Sequence, residues 1–357
     1  METPNLLEVR DLSISFGTEA GEAHVLDGVN FDIRPGEIMG LVGESGCGKT
    51  TLARAVLGIL PPNARRHRGG SIGFRREDLL TYSGERFDRE VRGRRITFIP
   101  QDPYSSLNPL FKVGSQVMEL MKWKSPRRDD FGTGRGLTAF ATRYPRSRRR
   151  ADREAVLDML RAVQIPQPES IFSKLPGEFS GGQRQRLMIA MALLPEPDLV
   201  IADEPTTALD VTIQAQILKL LRTLARDRGV SIMLTTHDLG AAYEICDRIT
   251  VMYAGQEVET APVGDFFEHS SHRYTRRLLE SLPNPNRPVK GIGGEVPTLI
   301  HPPPGCRFHP RCSHAVGPCA RARPEVTVLG RGHEVRCYNP ELAGVEDAAA
   351  PGLTVQS

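Results

Sequence analysis

The chain has 357 residues, 39% hydrophobic and 25% charged, which is ordinary for a globular protein and excludes a disordered or fibrous chain. Its 46 Lys and Arg against 43 Asp and Glu leave a net charge of +3, so composition gives no argument for a nucleic-acid partner. No apolar run approaches the roughly 20 residues of a membrane span, and METPNLLEVRDLSISF has no basic stretch ahead of an apolar core, so neither an anchor nor a secretory signal is predicted.

In chain order, LLEVRDLSISF and VNFDI read as strands, followed by a turn at Pro35-Gly36. EIMGLVG is a buried strand running into a glycine-rich loop, and TLARAVLGIL has helical spacing after it. RITFIPQ is the next strand. From about residue 102 to 194 no clear strand appears, which predicts an inserted helical subdomain. Within it, residues 122–153 hold eleven Lys or Arg against three acids. This reads as a solvated surface insertion, the sharper alternative being a patch facing anionic lipid or a partner. DLVIADEP, SIMLTTH and RITVMYAG are short, apolar, β-branched strands. Between the first two lies TIQAQILKLLRTLARDRG, with apolar residues at Ile213, Ile217, Leu220, Leu221 and Leu224. Strands alternating with helices predict an α/β fold with a mostly parallel sheet. Composition shifts to Pro, Gly and Cys after about residue 283. This marks a main domain over 1–282, an extension over 283–340 and a disordered tail over 341–357.

GESGCGKT, from Gly43 to Thr50, fits Gly-x4-Gly-Lys-Ser/Thr without a gap, with a strand before it and a helix after it. The glycines let the backbone curl so that successive N–H groups, from Glu44 through Ser45, Gly46, Cys47 and Gly48 to Thr51, point at phosphate oxygens. The following helix adds the partial positive charge of its N-terminus. Lys49 would reach the β- and γ-phosphates and the Thr50 hydroxyl would ligate Mg2+. The Cys47 thiol is incidental to this, with sensitivity to oxidants as the alternative.

DLVIADEP places Asp203 at the end of a buried strand, where it can hold Mg2+ through water. Glu204 beside it is placed to deprotonate a water for in-line attack on the γ-phosphate. Carboxylates at both positions argue for a working ATPase rather than a nucleotide sensor.

GESGCGKT, the glutamine of IPQDPYSSLNP, FSGGQRQR, LVIADEPTTALD and TTHD occur in that order over about residues 6 to 260, and together they resemble the ATP-binding cassette (ABC) ATPases. The resemblance implies a P-loop core with an N-terminal antiparallel β-subdomain and an inserted helical subdomain. It places Gln101 near Mg2+ and the γ-phosphate, His237 on the γ-phosphate, Asp210 at a dimer contact and Phe16 on adenine. It also implies that Ser180, Gly181, Gly182 and Gln183, with a helix beginning near Gln183, face the nucleotide of a second cassette. ATP then joins two chains, and hydrolysis lets them part. Phe179 stands where leucine is commoner. Coiled-coil chromosome ATPases are a poor match, since no heptad run separates Gln101 from Ser180. Twin-cassette translation factors fail on the single P-loop. Glu204 and Ser180 argue against an inactive scaffold.

PQDPYSSLNP, ADEPTTALDVTIQAQIL, VMYAGQEVE and the tail resemble, more narrowly, the ATPase subunits of dipeptide, oligopeptide and nickel importers. That implies peptide import, with nickel or another small solute such as an oligosaccharide as the alternative. The implied partners are a second, different ATPase chain, two permease subunits and an extracytoplasmic binding protein, with this chain peripheral on the cytoplasmic face of the inner membrane. GCRFHPRCSHAVGPC and CYNP space Cys306, Cys312, Cys319 and Cys337 as C-x5-C-x6-C-x17-C, unlike paired zinc motifs. Four thiolates suit a 4Fe–4S cluster, to which the resemblance points, or zinc, or they are free thiols. His309, His314 and His333 lie nearby as alternates. Either metal would staple a short segment with too little core of its own.

Overall fold

The computed structural model describes residues 4–67, 69–128, 144–207, 209–282, 291–330 and 332–341. In chain order its first half runs β1 (Leu7–Thr18), β2 (Gly21–Ile33), β3 (Ile38–Val42), α1 (Lys49–Val56), β4 (Ala64–Arg66), β5 (Ser71–Phe74), β6 (Glu77–Asp78), α2 (Gly84–Glu90), β7 (Ile96–Ile99), α3 (Val113–Lys124), α4 (Arg146–Ala162) and α5 (Gly181–Leu193). The second half runs β8 (Leu199–Asp203), α6 (Val211–Arg228), β9 (Ser231–Thr236), α7 (Leu239–Ile245), β10 (Arg248–Tyr253), β11 (Gln256–Pro262), α8 (Val263–His269), α9 (Arg273–Glu280), β12 (Thr327–Gly330) and β13 (His333–Val335).

Two sheets result. The larger has the order β12-β13-β11-β10-β3-β9-β8-β7, and its five strands from β10 to β7 are parallel. The smaller, β2-β1-β5-β6 with β4 on β1, is antiparallel. The parallel strands are apolar along their whole length because both faces are covered. Alternation along each strand deals its residues to two cores. Ile38 and Val42 of β3, Val200 and Ala202 of β8, and Ile232 and Leu234 of β9 face one core, shared with α3 to α7. Met39, Leu41, Leu199, Ile201 and Met233 face the other, shared with α1 and the antiparallel sheet.

Between β7 and β8 the described residues form α3, α4 and α5 and no strand. Phe179 is accommodated in the first core, 5% exposed. Within the basic segment, residues 129–143 lie outside the described residues, as does the tail from 342 onward.

The Cys-rich extension does not fold apart from the main domain. β13 pairs antiparallel with β11, so the extension lengthens the main sheet. Arg323 donates to the carbonyls of Asp27 and Gly28 and pairs with Glu257 at 2.9 Å. Arg307, its side chain 4% exposed, donates to the Ala254 carbonyl and to Asp27 at 2.8 Å. Buried Glu259 binds His333 at 2.8 Å and accepts from the backbone N–H groups of Ser271 and His272.

Candidate active site

The loop between β3 and α1 turns as its glycines require. Gly43 has φ 150°, and a Cβ there would lie 2.2 Å from the Met252 carbonyl oxygen. Gly48 has φ 109°, and its Cβ would meet the Val25 carbonyl at 2.8 Å. Among the described residues no side chain caps α1, so the N–H groups of its first turn, including those of Thr50 and Thr51, are not consumed by a cap. The Lys49 ammonium is buried and donates to the carbonyls of Gly43 at 2.8 Å and Glu44 at 3.1 Å. Among the described residues it makes no ion pair. A desolvated cation that meets only neutral dipoles gains most from an anion brought to the loop.

Cys47 lies 3.7 Å from the Lys49 nitrogen and is 4% exposed, and burial pushes its thiol above the ordinary range. Reactivity belongs to the exposed thiolate. The oxidant-sensitive alternative therefore has no physical support here, and this cysteine is a small apolar residue of the second core.

The carboxylates stand at the C-terminal end of β8, beside that loop. Thr50 donates to Asp203 at 3.2 Å, and the Thr235 hydroxyl at the end of β9 donates to the same oxygen. Asp203 is 5% exposed, so two hydroxyl donors compensate a carboxylate removed from water. Glu204 has φ 46°, the left-handed region that side chains seldom adopt, at a typical cost of about 1–3 kcal/mol. The strain is fixed by its N–H, which donates to the Thr235 carbonyl at 2.9 Å. Three side chains then hold the Glu204 carboxylate: Gln101 at 3.0 Å, Thr207 at 3.1 Å and His237 Nδ1 at 3.1 Å.

Sequence reasoning placed Gln101, Asp203, Glu204 and His237 around one phosphate, and the strand ends bring them together. It missed Thr235 and Thr207. The signal for both was there, since each is a hydroxyl beside a motif already singled out.

Other expected residues stand elsewhere. Ser180 is exposed and caps α5: its hydroxyl accepts from the Gln183 N–H, while the Gln183 side chain accepts from the Ser180 N–H. This reciprocal cap starts the helix at Gly181, two residues before the expected Gln183. Asp210 caps α6, accepting from the Ile213 N–H at 3.0 Å. Phe16 is half-buried on β1, opposite Ala23 and Ala64, and packs on the second core.

The four tail cysteines converge. Cys319 adds to the rise in pKa at each of Cys306, Cys312 and Cys337, after burial. The Cys306 N–H donates to the Cys319 carbonyl at 2.9 Å. Burial pushes Cys306 up to about 12 and raises Cys312 and Cys337. Among the described residues, however, no three Cys, His, Asp or Glu come together as a formed metal site. His309 turns its Nδ1 to the Cys306 carbonyl, and His333 is engaged by Glu259.

A family model for the ABC transporter matches residues 26–207, and one for the oligopeptide/dipeptide transporter C-terminal region matches residues 258–319. The chain is 44% identical to a Sinorhizobium fredii protein named "Probable peptide ABC transporter ATP-binding protein y4tR", across 93% of this chain and 94% of that one. It is 41% identical to the dipeptide transport ATP-binding protein DppD of Bacillus subtilis, again across 93% and 94%. Among solved structures, a post-hydrolysis dimer of the ATP-binding cassette MJ0796 bound to ADP and Pi superposes with a TM-score of 0.58 at 23% identity. That likeness covers 72% of this chain and 98% of that one, and shows the fold.

Proposed function

This chain belongs to the ABC transporter family as one of its ATP-binding subunits, and from that premise we propose that it powers the import of di- and oligopeptides. It is an ATPase, and its reaction is the hydrolysis of ATP to ADP and phosphate. The observation that carries the site assignment is the convergence of Asp203, Glu204, Gln101 and His237 at the ends of adjacent parallel strands, beside Thr50 of α1 and a buried Lys49.

In this reading the 43–51 loop and the N-terminus of α1 hold the phosphates. Phe16 stacks on adenine. Thr50, Asp203 and Gln101 would hold Mg2+, which would supply charge neutralisation to the phosphates. Glu204 takes a proton from the attacking water. Its carboxylate is already oriented by Gln101, Thr207 and His237, so orientation is not lost at the moment of reaction. Ser180 to Gln183 and Asp210 lie on surfaces offered to a second, different cassette, whose nucleotide the N-terminus of α5 completes. Closure of the pair on ATP and its release after hydrolysis drive the permease subunits.

A groove lined in part by Leu57, Phe98, Pro100, Leu120, Met188 and Met191 supports membrane partners, because contiguous exposed apolar surface marks interaction sites. No helix among the described residues is long and apolar enough to cross a membrane; in this reading the chain sits peripherally on the cytoplasmic face of the inner membrane, held by its permease partners. Four half-buried or buried thiols gathered in one short segment also suit a 4Fe–4S cluster in kind, with Cys306, Cys312, Cys319 and Cys337 as ligands and zinc as the rival. Bound metal would hold those ligands as thiolates and staple the extension. Iron and sulfide in comparable amounts in anaerobically purified protein test this; stoichiometric zinc decides for the rival.

The function is tested by uptake in cells lacking the chain. Labelled di- and oligopeptide uptake should return with the wild-type gene and not with Glu204→Gln. Uptake of nickel or an oligosaccharide restored in place of peptide would overturn the substrate class.

A further inference from the structure

The extension reaches the phosphate loop through one side chain. Arg311, its side chain only 4% exposed and 267 positions away in sequence, forks onto the Glu44 carboxylate with distances of 2.9 and 3.4 Å. Its remaining donors are also placed. Nε donates to the Gly293 carbonyl at 2.9 Å, Nη2 to the Ile292 carbonyl at 3.0 Å and Nη1 to the Tyr253 hydroxyl at 3.1 Å. All five guanidinium N–H bonds are therefore used, which fixes the fork in one orientation. The extension supplies a second support. Phe308, 2% exposed, packs edge-on against Tyr253 with ring centroids 5.3 Å apart, and against Tyr274 at 5.4 Å. The Tyr274 hydroxyl in turn accepts the Glu44 N–H at 3.0 Å.

Glu44 is thus held at three points: its N–H by Tyr274, its carbonyl by Lys49 and its carboxylate by Arg311. A carboxylate inside a loop that receives a triphosphate is a local repulsion. Pairing with Arg311 both cancels that charge and keeps the oxygens turned toward the extension. We propose that Arg311 is a positioning residue for the phosphate loop, so that nucleotide affinity depends on the docked Cys-rich extension. The proposal rests on the reading that residues 43–51 bind ATP.

The test is a cycle in the full chain, reading the Kd of a fluorescent ATP analogue. Arg311→Ala should weaken binding about ten-fold, the scale at which partners one step removed from a ligand act. Arg311→Lys keeps the charge but loses the fork, and should fall between. In a Glu44→Gln background, where no repulsion is left to cancel, Arg311→Ala should change Kd by less than about two-fold. Equal losses in both backgrounds, or no loss in either, would overturn the positioning role. Should Arg311→Ala not fold, the same comparison is made with Arg311→Lys. A wild-type chain that binds no ATP would instead sink the reading of the loop itself.

Discussion

His237 Nδ1 and Glu204 Oε1 lie 3.1 Å apart, the imidazole 57% exposed and the carboxylate 19%. The pair joins the end of β9 to the end of β8, so the carboxylate beside the phosphate loop is oriented by an element other than its own. With Gln101 and Thr207 on its other oxygen, Glu204 keeps its direction while its backbone bears the strain of a positive φ.

Glu204→Gln should lower turnover by about 10²–10⁴-fold, the range for loss of a general base, while ATP affinity changes little. The amide keeps the size of the carboxylate and can still accept from Thr207. Single-turnover hydrolysis and equilibrium nucleotide binding on the same preparation check it. An undiminished rate would remove Glu204 as the base.

Lys49→Ala should abolish ATP binding at concentrations that saturate the wild type. It deletes the one buried cation in the loop and leaves the Gly43 carbonyl without its donor, while the Glu44 carbonyl keeps the Cys47 N–H at 3.3 Å. Some loss of stability should accompany this, on the order of 1–3 kcal/mol for an unsatisfied buried acceptor. Unchanged affinity would contradict the phosphate assignment.

Ser180→Ala separates the two half-sites. Loss of the cap should cost about 1 kcal/mol in stability. The chain's own affinity for ATP should stay as it is, because the Ser180 hydrogen bonds run to Gln183 and not to the 43–51 loop. Turnover in the assembled transporter should fall several-fold. A matching fall in the isolated chain's ATP affinity would show that Ser180 serves its own site.

The phosphate site was legible because its chemistry is local: a glycine loop, a strand end with two carboxylates, and hydroxyls within a few residues. The strands of the parallel sheet were legible because burial on both faces makes them uniformly apolar. β12 and β13 were not, since an edge hairpin of mixed residues such as Thr327, Gly330 and Glu334 has neither apolar alternation nor length. Arg311 escaped for a different reason. Its sequence neighbours suggest a cysteine segment, and only the pairing of β13 with β11, with the packing of Phe308, brings it to Glu44. Contacts made across hundreds of residues leave no periodicity to read.

His272 sets a pH dependence of stability. It is 1% exposed, its Nδ1 accepts the Tyr274 N–H to cap α9, and among the described residues its Nε2 has no partner. The adjacent Glu259 oxygens are already taken by His333 and two backbone N–H groups. Burial therefore lowers its pKa from 6.5 to about 4. The unfolded chain takes up this proton below about pH 6.5, and the folded chain only near 4. Between those values the unfolded state binds more protons, so stability falls as pH falls. From pH 7 to pH 5 the loss should be roughly 2 kcal/mol. His272→Asn keeps an acceptor for the cap without titrating. Denaturation midpoints at the two pH values should then draw together by that amount relative to wild type, whereas equal acid sensitivity in both proteins would show that His272 is not the group responsible.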